Sequence, residues 1–197
     1  MKINEIFYSL QGEGRYTGTP AVFVRFAGCN LRCDFCDTSH ESFEEYTEDK
    51  IVDAVSRYPS PHVILTGGEP TLQITDTLLA ALHRSGRIIH IETNGTRALD
   101  DNMLQQLDWI TVSPKFGIPP VIGRIDELKA VFDAGHPEFI RPLEEIDITH
   151  SDCRYLQPCD RGDARLNEVN LRECIRYILR NPRWKLSLQT HKLLGIQ

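Results

Sequence analysis

The chain has 197 residues, 41% of them hydrophobic, with a formal net charge of −6 and a pI near 5.6. That length suits one core and one domain spanning residues 1–197, and the acidic balance argues against a phosphate-tracking surface, so the expected partner is a small molecule and not a nucleic acid. Met1-Lys2-Ile3-Asn4-Glu5 lacks a basic flank followed by an apolar run, and no stretch is long enough to span a bilayer, which predicts a cytoplasmic protein with no membrane association. In that reducing compartment six cysteines point to a metal site or buried thiols before disulfides.

From residue 21 onward, short apolar runs alternate with helical stretches, the pattern of βα units on a parallel sheet. In chain order we expect a strand at 21–27, a helix at 48–58 capped by Thr47, a strand at 62–66, a helix at 76–85 closed by Gly86, and a strand at 87–92. A helix at 101–107, a strand at 109–113, a helix at 126–133 closed by Gly135, strands at 139–142 and 154–157, a helix at 167–180 stopped by Pro182 and a strand at 185–189 complete the series. A full eight-unit barrel takes roughly 250 residues, so this shorter chain is expected to form about six units. The fold class predicted is α/β, an open, partial (β/α)6-type barrel with a mostly parallel sheet.

The unusual motifs fall just after strands, where such folds place their chemistry. The Cys29 loop follows the first strand, Gly67-Gly68-Glu69-Pro70 the second, Thr93-Asn94-Gly95 the third and Pro114-Lys115 the fourth. Strand alternation sorts the side chains into two faces. One is apolar throughout, from Val22, Val24 and Phe26 to Ile110 and Val112; the other carries Arg25, Thr66, His90, Glu92, Thr111 and Ser113. A ligand or water is expected to meet that polar face, the alternative being internal satisfaction such as an Arg25–Glu92 ion pair.

Cys29, Cys33 and Cys36 form a C-x3-C-x2-C motif within a single loop. Iron–sulfur clusters usually take four cysteines, so three would leave one iron open for a ligand. A structural zinc site completed by a His or Asp is the competing reading, and it would make the chain a zinc-stapled binding module. Cys153, Cys159 and Cys174 lack dense spacing and read as ordinary buried thiols.

The cysteine spacing, with Phe35 before the third cysteine and Gly67-Gly68-Glu69-Pro70 downstream, resembles the radical S-adenosylmethionine superfamily. The resemblance implies a radical SAM barrel and a 4Fe–4S cluster on Cys29, Cys33 and Cys36 whose open iron binds S-adenosylmethionine. It implies that Phe35 lies against the adenine, that Gly68 and Glu69 meet the methionyl amino group, and that one electron from the cluster yields a 5′-deoxyadenosyl radical.

Three further stretches look like the 7-carboxy-7-deazaguanine synthase family: Glu5 to Gly14, Pro20 to Leu31, and Gln189 to Ile196. That resemblance implies a lyase that contracts 6-carboxy-5,6,7,8-tetrahydropterin to 7-carboxy-7-deazaguanine with loss of ammonia, toward queuosine and related 7-deazapurines. It assigns Leu10, Gln11, Gly12, Arg25, Thr66, Glu92, His191 and the end of the chain at Gln197 to the pterin, Thr38 to Mg²⁺, and Ser113, Pro114, Lys115, Gln157, Pro158, Cys159 and Asp160 to S-adenosylmethionine. A guanidinium at Arg25 suits a substrate carboxylate, and a carboxylate at Glu92 suits the donors of a 2-amino-4-oxo pyrimidine. The family also implies a flavodoxin or ferredoxin as reductant and a homodimer. Some members carry a long insertion between the first two cysteines, where this chain has only Asn30-Leu31-Arg32. The same cysteine spacing serves glycyl-radical activases, the alternative within the superfamily.

Overall fold

The computed structural model describes residues 1–36, 38 and 42–197. Strand β1 (Lys2–Leu10) runs antiparallel to β2 (Pro20–Phe26), and the two-residue β3 (Glu44–Glu45) adds to the outer side of β1. From β2 onward every neighbour is parallel, through β4 (His62–Gly67), β5 (Ile88–Thr93), β6 (Trp109–Val112), β7 (Glu127–Phe132), β8 (Arg154–Pro158) and β9 (Lys185–Leu186). The order β3-β1-β2-β4-β5-β6-β7-β8-β9 does not close on itself, so the barrel is partial and open, as expected.

Helices cover the apolar face. Helix α1 (Glu48–Ser56) starts at Thr47, whose side chain accepts from Lys50 N at 3.2 Å, and α2 (Asp76–Arg84) starts at Thr75, which accepts from Leu78 N at 3.1 Å. Helices α3 (Asp101–Gln105), α4 (Ala164–Arg180) and α5 (Thr190–Leu194) follow. Val22, Val24, Phe26, Leu65, Ile91 and Val112 belong to one buried cluster with Ile51 and Val55 of α1, Leu78 and Leu82 of α2 and Cys174 of α4. Full burial of each such aliphatic side chain stabilises the fold by about 1.5–3 kcal/mol. The three downstream cysteines are buried free thiols, and burial pushes Cys174 up to about 12.

Two expectations are overturned. Residues 126–133 form strand β7 and not a helix, because Leu128, Ala130 and Phe132 alternate strictly into the apolar core while Glu127, Lys129 and Val131 face the other way. Residues 139–142 form no strand; they lie in two 3-10 turns, Pro137–Phe139 and Arg141–Leu143, where Pro142 removes the donor a strand would need. The strand β1 has no counterpart in the expected series. Helix α4 begins three residues early, at Ala164, behind the N-cap Asp163, whose carboxylate accepts from Arg165 N and Leu166 N.

The N-terminal ends of the parallel strands are plugged by aromatic and imidazole rings. His62 Nδ1 and His90 Nε2 lie 2.9 Å apart, and Tyr16, from the loop after β1, meets His90 edge-on at 4.6 Å and Trp109 at 5.2 Å. Burial holds His90 down to about 4, and its neighbour His62 is lowered as well. His90 is therefore neutral when folded but takes up a proton at a higher pH when unfolded. Its stabilising effect is complete above about pH 6.5 and is lost as pH falls toward about 4. Replacing His90 with Gln should flatten the slope of stability against pH between about pH 7 and about pH 5, read from urea unfolding midpoints.

Candidate active site

A cavity of about 1270 Å³ opens over the polar face of the sheet. It gathers the loops after β2, β4, β5, β6 and β8, the loop after β1, and the last residues of the chain. All the site residues expected from sequence line it except Glu69 and Pro114.

The cysteine loop forms one wall. Cys29 Sγ accepts from Leu31 N at 3.4 Å, and Cys36 N donates to Cys33 O at 3.2 Å. Two anchors sew this loop to its surroundings. Asn30 takes a bond from Asn94 Nδ2 at 3.0 Å and gives one to Thr96 Oγ1 at 2.8 Å. On the opposite side Arg161, just beyond β8, bonds Asp34 at 2.6 Å and also Asp133, while its guanidinium lies 5.7 Å from the Phe35 ring centre. Its bond to Asp34 holds that carboxyl below its usual range.

All three cysteines are free thiols, with Cys29 and Cys33 half-buried and Cys36 exposed. Burial pushes the Cys33 thiol up, and the nearby Lys115 ammonium pulls against it. Among the described residues no three His, Cys, Asp or Glu side chains converge to hold a single metal ion. A four-iron cube presents separate corners and asks for no such convergence, so three thiolates on one loop, beside a wide cavity, fit a cluster.

Next to this wall the backbone of Gly67-Gly68 is pressed against β2. Gly68 N donates to Phe26 O at 2.9 Å, and a Cβ on Gly68 would stand 1.9 Å from Gly28 O. Gly67 has a φ of +114°, where only glycine is comfortable. Glu69 turns away from the cavity. Its Oε1 accepts from Thr71 N (3.1 Å), Thr71 Oγ1 (2.6 Å) and Thr93 Oγ1 (2.7 Å), and its Oε2 accepts from Asn94 N at 2.8 Å. This carboxylate is completely buried and ties the end of β4 to the end of β5.

The cavity floor is charged. Arg25 pairs with Glu5 at 2.7 Å, donates to Thr38 Oγ1 at 3.3 Å and lies over the Phe7 ring. Glu92 pairs with Lys129 at 3.3 Å and receives Gln11 Nε2 at 2.8 Å. The Arg25–Glu92 pair weighed from sequence is thus replaced by two separate pairs. Lys129 also binds Glu13 at 2.6 Å. Burial works against both charges, yet each holds the other: the Glu13 carboxyl stays below its usual range and the Lys129 ammonium above its own. Burial, reinforced by Lys129, lowers Lys115, whose Nζ donates to Ser113 Oγ at 2.8 Å.

Glu13 and Lys129 were not among the expected site residues. Lys129 was hidden by the helix expected at 126–133; period-two alternation from Glu127 to Phe132 was the signal that could have revealed it. The end of the chain closes the cavity. Thr190 N and Oγ1 both donate to Gly12 O, at 3.0 and 2.8 Å, and a Cβ on Gly12 would stand 2.1 Å from His191 Nδ1. Ser9 Oγ donates to Gln197 O at 2.6 Å. Lys192 pairs with Asp160 at 2.7 Å and, with Gly162 N and Asn167, holds that carboxyl down to about 2.

Comparison with known proteins gives a consistent neighbourhood. Residues 23–117 match the Radical SAM superfamily. The chain is 47% identical over 196 residues to a 7-carboxy-7-deazaguanine synthase of Bacteroides thetaiotaomicron, covering 100% of this chain and 98% of that protein. It is 39% identical over 217 residues to the enzyme of the same name from Bradyrhizobium diazoefficiens, covering 99% and 98%. The crystal structure of QueE from Escherichia coli superposes with a TM-score of 0.74 at 28% identity, covering 95% of this chain and 92% of that one.

Because Glu69 satisfies four donors out of reach of water, its removal strands all of them. Glu69→Ala should destabilise the chain by at least about 3 kcal/mol in chemical denaturation, more than a residue serving only a ligand would cost.

Proposed function

Since the chain belongs to the 7-carboxy-7-deazaguanine synthase family of radical S-adenosylmethionine enzymes, we propose that its cavity contracts 6-carboxy-5,6,7,8-tetrahydropterin to 7-carboxy-7-deazaguanine with loss of ammonia, a step toward queuosine and related 7-deazapurines. The observation that carries this reading is a single continuous cavity with the cysteine loop on one wall and Arg25, Thr66 and Glu92 on the floor. When bound, the 4Fe–4S cluster and S-adenosylmethionine supply one-electron bond cleavage and hydrogen abstraction.

The chain's own residues then divide the work. Cys29, Cys33 and Cys36 hold three irons. Phe35 offers its ring to the adenine, and Gly68, Ser113, Lys115 and the 157–160 segment line the S-adenosylmethionine. Arg25 takes the substrate carboxylate in a two-pronged grip. Glu92 accepts from the pyrimidine donors, and Leu10, Gln11, Gly12, Thr66, His191 and Gln197 enclose the pterin. Thr38, whose Oγ1 accepts from the Arg25 guanidinium at 3.3 Å, would offer an oxygen to a Mg²⁺ held on the substrate, an assignment drawn from the family, and Mg²⁺ readily fills its shell with water and substrate oxygens.

The rest of the assignment is drawn from the same family. A single sheet takes in strands from Lys2 to Leu186, which supports one radical SAM domain over residues 1–197. A flavodoxin or ferredoxin would deliver the electron to the cluster held by Cys29, Cys33 and Cys36, an assignment that rests on the family alone. Among the described residues no helix is long and apolar enough to cross a membrane, and free thiols suit a reducing cytoplasm. A homodimer completes the reading.

The test is an oxygen-free assay of the reconstituted protein with carboxytetrahydropterin, S-adenosylmethionine and dithionite. We expect deazaguanine product and ammonia, stimulated by Mg²⁺. A protein that makes neither, but raises a glycyl radical on a partner protein, would be an activase, and colourless zinc-loaded material would make it a binding module. Arg25→Ala should raise the KM for the pterin at least about tenfold while leaving the KM for S-adenosylmethionine and the iron content unchanged. An unaltered pterin KM would overturn the role given to Arg25.

A further inference from the structure

The Lys129 side chain is 4% exposed, and a sealed ammonium persists only with close, well-aimed counter-charges. It has two. Glu13 Oε2 lies at 2.6 Å, and Glu92 Oε1 at 3.3 Å. Glu13 is itself immobilised, for its other oxygen accepts from Gln157 Nε2 and Gln189 Nε2, both at 3.0 Å. Lys129 is therefore held from behind, by β8 and by the segment leading into α5, and reaches forward to Glu92.

Glu92 is treated unequally on its two oxygens. Oε1 receives Lys129 and, at 2.8 Å, Gln11. Among the described residues, Oε2 receives one long bond, from Thr66 Oγ1 at 3.4 Å. One oxygen is thus fixed by the protein, and the other keeps acceptor capacity on the cavity floor. Two carboxylates against one ammonium leave the triad with a net negative charge, which favours an edge rich in N–H donors over a second carboxylate.

We propose that Lys129 is a positioning residue for the pterin, anchored by Glu13, that fixes the Glu92 carboxylate so that its second oxygen meets the donor edge of the pyrimidine ring. This rests on the reading that Glu92 receives that edge. In this arrangement Lys129 acts on the pterin through Glu92. A purely structural tie, which only pins the loop after β1 to the barrel, would use the same contacts, so the test must separate the two.

The experiment uses the reconstituted holoenzyme with S-adenosylmethionine present and no reductant, so that pterin binding is read by calorimetry without turnover. KM values for both small molecules are measured separately with reductant. Lys129→Met should weaken pterin binding at least about tenfold and leave the KM for S-adenosylmethionine within about twofold. Lys129→Arg should restore part of that loss. Placed on Glu92→Gln, Lys129→Met should add less than about threefold, since both changes remove the same interaction. If Lys129→Met does not fold, Glu13→Gln and Lys129→Arg make the same comparison, each expected to weaken the pterin selectively. Equal losses for pterin and S-adenosylmethionine, or effects that add fully to those of Glu92→Gln, would reduce Lys129 to a structural tie and overturn the proposal. Unchanged pterin affinity in Glu92→Gln alone would instead remove the reading beneath it.

Discussion

The architecture turns on a charged group where a barrel usually keeps oil. The ammonium of Lys129 sits between the carboxylates of Glu13 and Glu92, and through them it links β5, β7, β8, the loop after β1 and the approach to α5. Taking an ion out of water costs several kcal/mol, and only close pairing with further hydrogen bonds offsets it. That constraint explains why both ends of the chain converge on the interior. The loop after β1 supplies Glu13 and Gln11, and the segment before α5 supplies Gln189.

Around this charged floor, the two halves of the cavity wall are held by different means. The glycine turn after β4 is fixed by shape, since backbone packs on backbone with no room for a Cβ, and by the buried Glu69 behind it. The cysteine loop is fixed by charge and polar side chains at its flanks, Arg161 with Asp34 and Asn94 with Asn30. One half is thus set by backbone packing, and the half that carries the three cysteines is secured through the polar residues between them.

The apolar side of the sheet was legible in the sequence because it obeys a local rule. Alternate residues from Val22 to Val112 are hydrophobic, and Thr47 announces the helix that covers them. The cysteine triad was legible for a similar reason, since its spacing lies within one loop. Segment 126–133 was not, because Asp126, Lys129 and Asp133 fall at the spacing of a solvent-facing helical stripe when nothing reveals that the interior is polar. β1 was hidden as well: Asn4, Glu5 and Ser9 interrupt its apolar pattern, and its pairing with β2 is settled by tertiary contact. The site residues near the chain ends were recognised by resemblance, while the ion pairs that join them depend on distances no linear pattern encodes.

The margins of the sheet have a consequence for the protein's behaviour in a crowded solution. Each outermost strand is only two residues long: Glu44–Glu45 on one side, Lys185–Leu186 on the other. An unclosed barrel offers free backbone donors and acceptors at both rims, an invitation for other chains to join it. Here that invitation is withdrawn by brevity and by charged side chains, two adjacent carboxylates on one rim and an ammonium on the other, so that the molecule keeps an open mouth for its ligands without becoming a seed for fibrils.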